Sequence, residues 1–186
     1  MKTRGSLLSL SLLLIGFCVA IFAFEDSAVA QQGRKGTGIV PLNEDETRNM
    51  LHIREEEKLA RDVYMRMHDI WGATVFSNIA VSEQRHMDAV LNLLDKYGIP
   101  DPALGEGKFA NSDLQKLYDD LIKQGKESLL NAFEVGVIIE ETDIEDLQEA
   151  IEGTQKADLE KVYGNLLNGS YNHLDAFNYH SDSLAQ

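Results

Sequence analysis

The chain has 186 residues, with 17 Lys+Arg against 31 Asp+Glu and a formal charge of −14. That surplus argues against binding to nucleic acid or anionic membrane, because phosphate binding needs clustered Lys and Arg. The lone cysteine, Cys18, excludes an intrachain disulfide framework and a Cys-built zinc or iron–sulfur site. The length points to one globular domain, two at most.

The chain opens with Lys2 and Arg4, an apolar run from Leu7 to Phe24, and Ala28-Val29-Ala30. This pattern reads as a secretory signal cut after Ala30, leaving 186 − 30 = 156 residues. The rival reading is an uncleaved bilayer anchor, which the Ala-x-Ala pattern disfavours. Bulky Phe17 before Cys18 argues against lipid attachment, and there is no twin-arginine pair. The expectation is a secreted or periplasmic protein with no stable membrane domain after cleavage. Residues 31–42 read as a flexible leader.

From Asn43 onward the apolar spacing is helical, without a period-2 strand. Asn43 with Glu46 forms a capping box opening a first long helix that ends at Gly72. A second runs from about Thr74 to Tyr97, stopped by Gly98, Pro100 and Pro102. Asn111 to Gln124 reads as a short helix capped by Ser112. A third long helix covers about Glu127 to Glu152, and a fourth about Ala157 to Tyr179, with 181–186 as a tail. Tight turns within each pair and about thirty residues between the pairs predict an all-α fold. It is an antiparallel four-helix bundle with one long crossover containing a short extra helix.

Polar side chains interrupt the apolar stripes near mid-helix. Glu57 is in phase with Ile53, Ala60 and Tyr64; Glu83 and His86 are in phase with Ile79 and Val90. Glu140 and Glu141 straddle the third stripe, and His173 is in phase with Leu166 and Phe177. Antiparallel register places these groups at similar heights. Facing carboxylates in a core repel and lose hydration, and a polyvalent cation removes both costs. Glu83-x-x-His86 sets an oxygen and a nitrogen ligand on one helical face. Mixed O/N ligation without sulfur suits iron or manganese, and also zinc or copper. Taken singly, each residue has a plainer reading: a solvated face for Glu83 and His86, and the charge run Arg54–Lys58 for Glu57. For His173 it is a hydrogen-bonded core histidine. The main rival for the whole set is a buried salt-bridge cluster using Arg61 and Arg85.

Glu57-x-x-Ala60-Arg61-x-x-Tyr64 and Ser82-Glu83-x-x-His86 resemble the first- and second-helix motifs of rubrerythrins and bacterioferritins. The segment from Glu44 to Phe177 resembles a bacterial and archaeal ferritin-like family catalogued as a domain of unknown function. The resemblance is carried by EEEKLARDVY (55–64), SEQRHMDAV (82–90), Glu140-Glu141-Thr142-Asp143-Ile144 with Asp146-Leu147, and Gly169-Ser170-x-Asn172-His173-Leu174-x-Ala176-Phe177. It implies a ferritin-like bundle holding a carboxylate-bridged pair of metal ions, iron foremost. Glu57 would be a terminal ligand, Glu83 the bridge, His86 terminal, with His173 on the fourth long helix and Tyr64 close by. For the third long helix the reading favours Glu141, then Glu140, with Glu134 as an outside candidate. One departure stands out: the fourth helix of such proteins carries Glu-x-x-His, and here it is Ser170-x-x-His173. One carboxylate is therefore missing from the expected set.

His52, His68 and His180 lie off this layer and read as surface histidines. Tyr163 and Tyr171 read as packing residues. No calcium loop, phosphate loop or Ser-His-Asp arrangement is visible. Three functions compete. The first is an exported di-iron oxidoreductase of ferroxidase or peroxidase type, using O2 or H2O2 and an external electron donor. The second is a non-catalytic metal-binding or storage protein, for which an oligomer matters. The third is a metal-free helical interaction scaffold.

Overall fold

A computed structural model describes residues 39–185. The expected secretory signal at residues 1–30 and most of the expected leader at 31–42 lie outside the described residues. Five helices follow in order: α1 Glu44–Trp71, α2 Thr74–Tyr97, α3 Ser112–Gly125, α4 Leu129–Glu152 and α5 Ala157–Ala185. No strand occurs among the described residues. None of their helices is long and apolar enough to cross a membrane.

The expected capping box opens α1. Asn43 Oδ1 accepts from Glu46 N at 2.8 Å, and Glu46 Oε2 accepts from Asn43 N at 2.9 Å. Gly72 and Gly98 close α1 and α2 in the left-handed conformation, φ 68° and 70°, which glycine adopts without strain. Three boundaries differ from expectation. Asn111 rather than Ser112 caps α3, its Oδ1 accepting from Asp113 N and Leu114 N. α4 starts at Leu129 because Ser128 is extended and its Oγ accepts from Asn131 N. α5 runs through the expected tail to Ala185, since no Gly or Pro follows Gly169 to stop it.

α1 pairs with α2 and α4 with α5, each pair antiparallel across a short turn; α1 also packs on α4, and α2 on α5. The crossover containing α3 folds back against α1 and α4. The charge run at 54–58 holds it there, so this run is not a solvated face: all five side chains are buried. Arg54 clamps Asp101 with two hydrogen bonds of 3.0 and 2.8 Å, and Glu55 accepts from Ala110 N at 2.7 Å. Lys58 donates to Asp62 at 2.6 Å and sits 4.2 Å above the Phe109 ring. Asp62 also accepts from Gly107 N.

The core comes in two parts. One apolar cluster contains Val63, Met67, Phe76, Phe133 and Phe177. The other contains Met50, Ile53, Leu94, Leu147, Leu159 and Leu166. Burial of each such side chain contributes about 1.5–3 kcal/mol. This apolar packing offsets the cost of the polar layer at intermediate sequence height on all four long helices.

Candidate metal centre

α1 places Glu57 in this layer, α2 places Glu83 and His86, α4 places Glu140, and α5 places His173. Glu57, Glu83 and Glu140 are 1–2% exposed and His173 is 8% exposed. Their ligand atoms form two groups: Glu57, Glu83 and His86 in one, and Glu83, Glu140 and His173 in the other. Glu83 belongs to both. Its Oε2 lies 2.8 Å from His86 Nδ1, and its Oε1 lies 2.8 Å from His173 Nδ1. His86 Nδ1 is also 3.1 Å from Glu57 Oε2, and His173 Nδ1 is 3.5 Å from Glu140 Oε2.

The sequence preference for Glu141 over Glu140 is reversed. Glu141 is exposed, whereas Glu140 is buried and accepts from Tyr64 Oη at 2.6 Å. One residue is 100° of helix rotation, enough to carry a side chain from the bundle axis to solvent. Glu134 is exposed as well. The arginine cluster is absent from the layer: Arg85 is exposed, and Arg61 is bound to Asp62 and Gln84.

A further buried carboxylate outside the expected set lies close to the layer. Asp143, one turn after Glu140 on α4, is buried and accepts from Ser170 Oγ at 2.5 Å. Its Oδ1 is buried without a hydrogen-bond partner. Glu140-x-x-Asp143 repeats the i, i+3 spacing of Glu83-x-x-His86, which is the sequence signal that could have found it. Gly169 shapes the other side: a Cβ there would stand 2.6 Å from His86 Cε1 and Nε2, so only glycine leaves room for the imidazole.

The layer contains more negative charge than its own cations can neutralise. Four carboxylates (Glu57, Glu83, Glu140, Asp143) face at most two imidazolium groups. Burial, then the charges of Asp143 and Glu83, push Glu57 well above the ordinary carboxyl range. Burial, then Glu140 and Glu56, do the same to Asp143. Burial raises Glu140 to about 7, with His173 opposing. Burial works against ionised Glu83, yet the His173 and His86 imidazoles outweigh it and hold that group near 2. Burial opposes the charge on His173, but Glu140 and Glu83 lift it to about 10.

Close approach here is not hydrogen bonding throughout. Glu57 Oε1, Glu83 Oε1, Asp143 Oδ1 and His173 Nδ1 are all buried with no hydrogen-bond partner. The 2.8 Å pair of His173 Nδ1 and Glu83 Oε1 is therefore close without being aligned for a bond. Lone pairs converging on a common point are what a shared cation requires, and orphaned polar atoms in a core are otherwise costly. The donor set, carboxylate and imidazole without sulfur, fits iron or manganese and admits zinc or copper.

His68 and His180 stand apart from the layer, as expected. His68 Nδ1 lies 3.2 Å from Ala73 O, and the His180 ring stacks on Phe133. His52 is not an isolated surface histidine; it faces Glu56 and Asp146. Tyr163 is a core residue, and Tyr171 is half-exposed.

A family model described as "Uncharacterized protein domain (DUF2202)" matches residues 46–183. The chain belongs to the DUF2202 family. A relative of this DUF2202 chain, "Uncharacterized protein MJ0754" of Methanocaldococcus jannaschii, is 47% identical over 139 residues, 74% of this chain and 75% of that protein. The crystal structure of hypothetical protein MJ0754 superimposes with a TM-score of 0.77 at 41% identity, over 86% of this chain and 88% of that one. A DUF305 fragment from Deinococcus radiodurans superimposes with a TM-score of 0.59 at 12% identity, over 77% of this chain and 99% of that one. The DUF305 likeness is one of fold alone.

Proposed function

We propose that this DUF2202 domain is a ferritin-like, carboxylate-bridged two-metal protein, most simply a di-iron one, of ferroxidase or peroxidase type. The observation that supports it is the division of Glu83: each oxygen faces a different histidine, in two ligand groups that share nothing else. Glu57 and His86 would hold one ion, Glu140 and His173 the other, and Glu83 would bridge them. Asp143, held by Ser170, supplies the carboxylate absent from position 170. Iron bound there would supply the electrons that reduce O2 or H2O2. The protein's own part is to hold the ions in a dry layer, to place negative charge that favours the ferric state, and to bring the Tyr64 hydroxyl against Glu140. We also propose export, on the strength of the leader and its Ala28-Val29-Ala30 boundary. N-terminal sequencing of the protein from its native host tests that point.

The central test is reconstitution with Fe(II), Mn(II), Zn(II) or Cu(II) under anaerobic conditions, with metal counted per chain. The Fe(II) form is then mixed rapidly with O2 and with H2O2. Two ions per chain that depend on Glu83, and a fast ferric absorption with either oxidant, are expected. Two ions bound without oxidation would favour a binding or storage protein. No stoichiometric metal would reduce the layer to a protonated carboxylate cluster.

A further inference from the structure

We infer that His52, Glu56 and Asp146 form a second, outer cation site, separate from the Glu83 centre and suited to one borderline divalent transition ion. His52 and Glu56 are one turn apart on α1, and Asp146 faces them from α4. His52 Nε2 lies 3.1 Å from Glu56 Oε1 and 3.7 Å from Asp146 Oδ2. One nitrogen and two carboxylate oxygens thus converge within 4.8 Å of one another.

A second observation separates this group from an ordinary surface ion triad. The Glu56 side chain is only 10% exposed, and its Oε2 is fully buried with no hydrogen-bond partner. An exposed triad leaves its spare oxygens to water; here the spare oxygen of Glu56 is shielded from water and unsatisfied. Among the described residues no Lys or Arg pairs with Glu56 or Asp146. With both carboxylates ionised the group is net negative whether His52 is charged or neutral, and a divalent ion would satisfy both carboxylates at once. One imidazole and two carboxylates without sulfur suit Zn(II), Mn(II) or Fe(II).

Access favours the same reading. His52 and Asp146 are each about one-third exposed at the side chain. His52 also borders an open cleft of about 460 Å³ at the start of α1, whose Arg48 is already paired with Asp45. A hydrated ion can reach the histidine edge, whereas the Glu83 centre is closed. Glu56 precedes Glu57 in the chain, so the outer group ends one residue from the inner one. The inference does not depend on redox chemistry, and the outer residues share no ligand with the inner centre.

The test is equilibrium binding of Zn(II), counted per chain, in three forms: wild type, the double variant His52→Gln with Asp146→Asn, and Glu83→Ala. Far-ultraviolet circular dichroism confirms the fold of each. The double variant is expected to bind one Zn(II) fewer than wild type while keeping the inner ions. Glu83→Ala is expected to keep one ion, and NMR of its His52 ring should show Zn(II)-dependent shifts. A double variant that binds as many ions as wild type, or Glu83→Ala protein whose His52 does not respond to Zn(II), overturns the outer site. If Glu83→Ala leaves stoichiometry unchanged but the double variant loses one ion, the outer site stands and the two-metal reading of the inner layer falls.

Discussion

Ser170 on α5 donates a 2.5 Å hydrogen bond to Asp143 on α4, deep in the polar layer. Sequence comparison within α5 makes position 170 look like a missing carboxylate. In three dimensions a buried carboxylate faces the serine from the neighbouring helix, and the same hydroxyl lies 3.1 Å from Leu166 O. Asp143→Asn keeps the shape but removes the charge. It is expected to weaken one of the two ions by roughly 10–100-fold, as loss of a supporting carboxylate does. Ser170→Ala should produce a smaller loss in the same ion, read by competition with a chromophoric chelator.

The shared role of Glu83 sets an order among variants. Glu57→Ala should lose the ion beside His86, and Glu140→Ala the ion beside His173, each leaving the other inner ion bound. Glu83→Ala should weaken both together, because both groups use its carboxylate. Equal, single-ion losses in all three variants would contradict a bridge.

The metal-free protein should respond to pH in a definite direction. Glu140 is raised from 4.5 to about 7, first by burial, and His173 from 6.5 to about 10, where its carboxylate partners outweigh burial. Both groups hold protons more tightly folded than unfolded, so each stabilises below its unfolded value. That contribution is lost as pH rises, through about 7 for Glu140 and about 10 for His173. Glu83, lowered to about 2, acts oppositely, and its contribution is lost only as pH falls from 4.5 through 2. Chelator-treated protein should therefore melt at progressively lower temperature from roughly pH 5 to pH 9. The gain in melting temperature on adding metal should grow over the same range, since ligands must shed protons to bind.

Gly169→Ala tests whether the close approach of α5 to His86 matters. The new Cβ would sit 2.6 Å from the ring, so His86 must move off its position beside Glu83 and Glu57. The cost to folding is about 1–3 kcal/mol for overpacking. The diagnostic change is a selective loss of the His86-side ion, visible as altered metal stoichiometry with the other ion retained.

The crossover rests on a buried ion pair. Lys58 is 1% exposed, and Asp62 is fully buried beneath Gly107. Asp62→Ala strands the ammonium and frees the loop's backbone amide, with an expected loss of about 3–5 kcal/mol. Denaturant unfolding gives the magnitude, and faster proteolysis between residues 101 and 110 would localise the effect to the crossover.

Much of the bundle was legible because local rules act within one helix. The Asn43–Glu46 capping box, the Gly72 and Gly98 stops and the 3.6-residue stripe of α2 need no distant partner. Glu57, Glu83, His86 and His173 stood out because they broke those stripes. The choice between Glu140 and Glu141 did not follow from the stripe, because both flank it and only the packing of α4 against α1 and α5 decides which turns inward. The burial of Arg54, Glu55 and Lys58 was hidden for the same reason: their cover is a loop 47 to 55 residues further along.

What the sequence alone determined was the set of helices, their ends, and the polar side chains that interrupt their apolar faces; these follow from dihedral preference, capping and periodicity. What the tertiary structure decided was which of those groups meet. It turned Glu140 in and Glu141 out, set Asp143 against Ser170, removed Arg61 and Arg85 from the layer, and brought His52 and Glu56 up to Asp146. These choices depend on rotation and proximity between separate helices, and a shift of one residue in packing swings a side chain by about 100°, enough to exchange core for solvent.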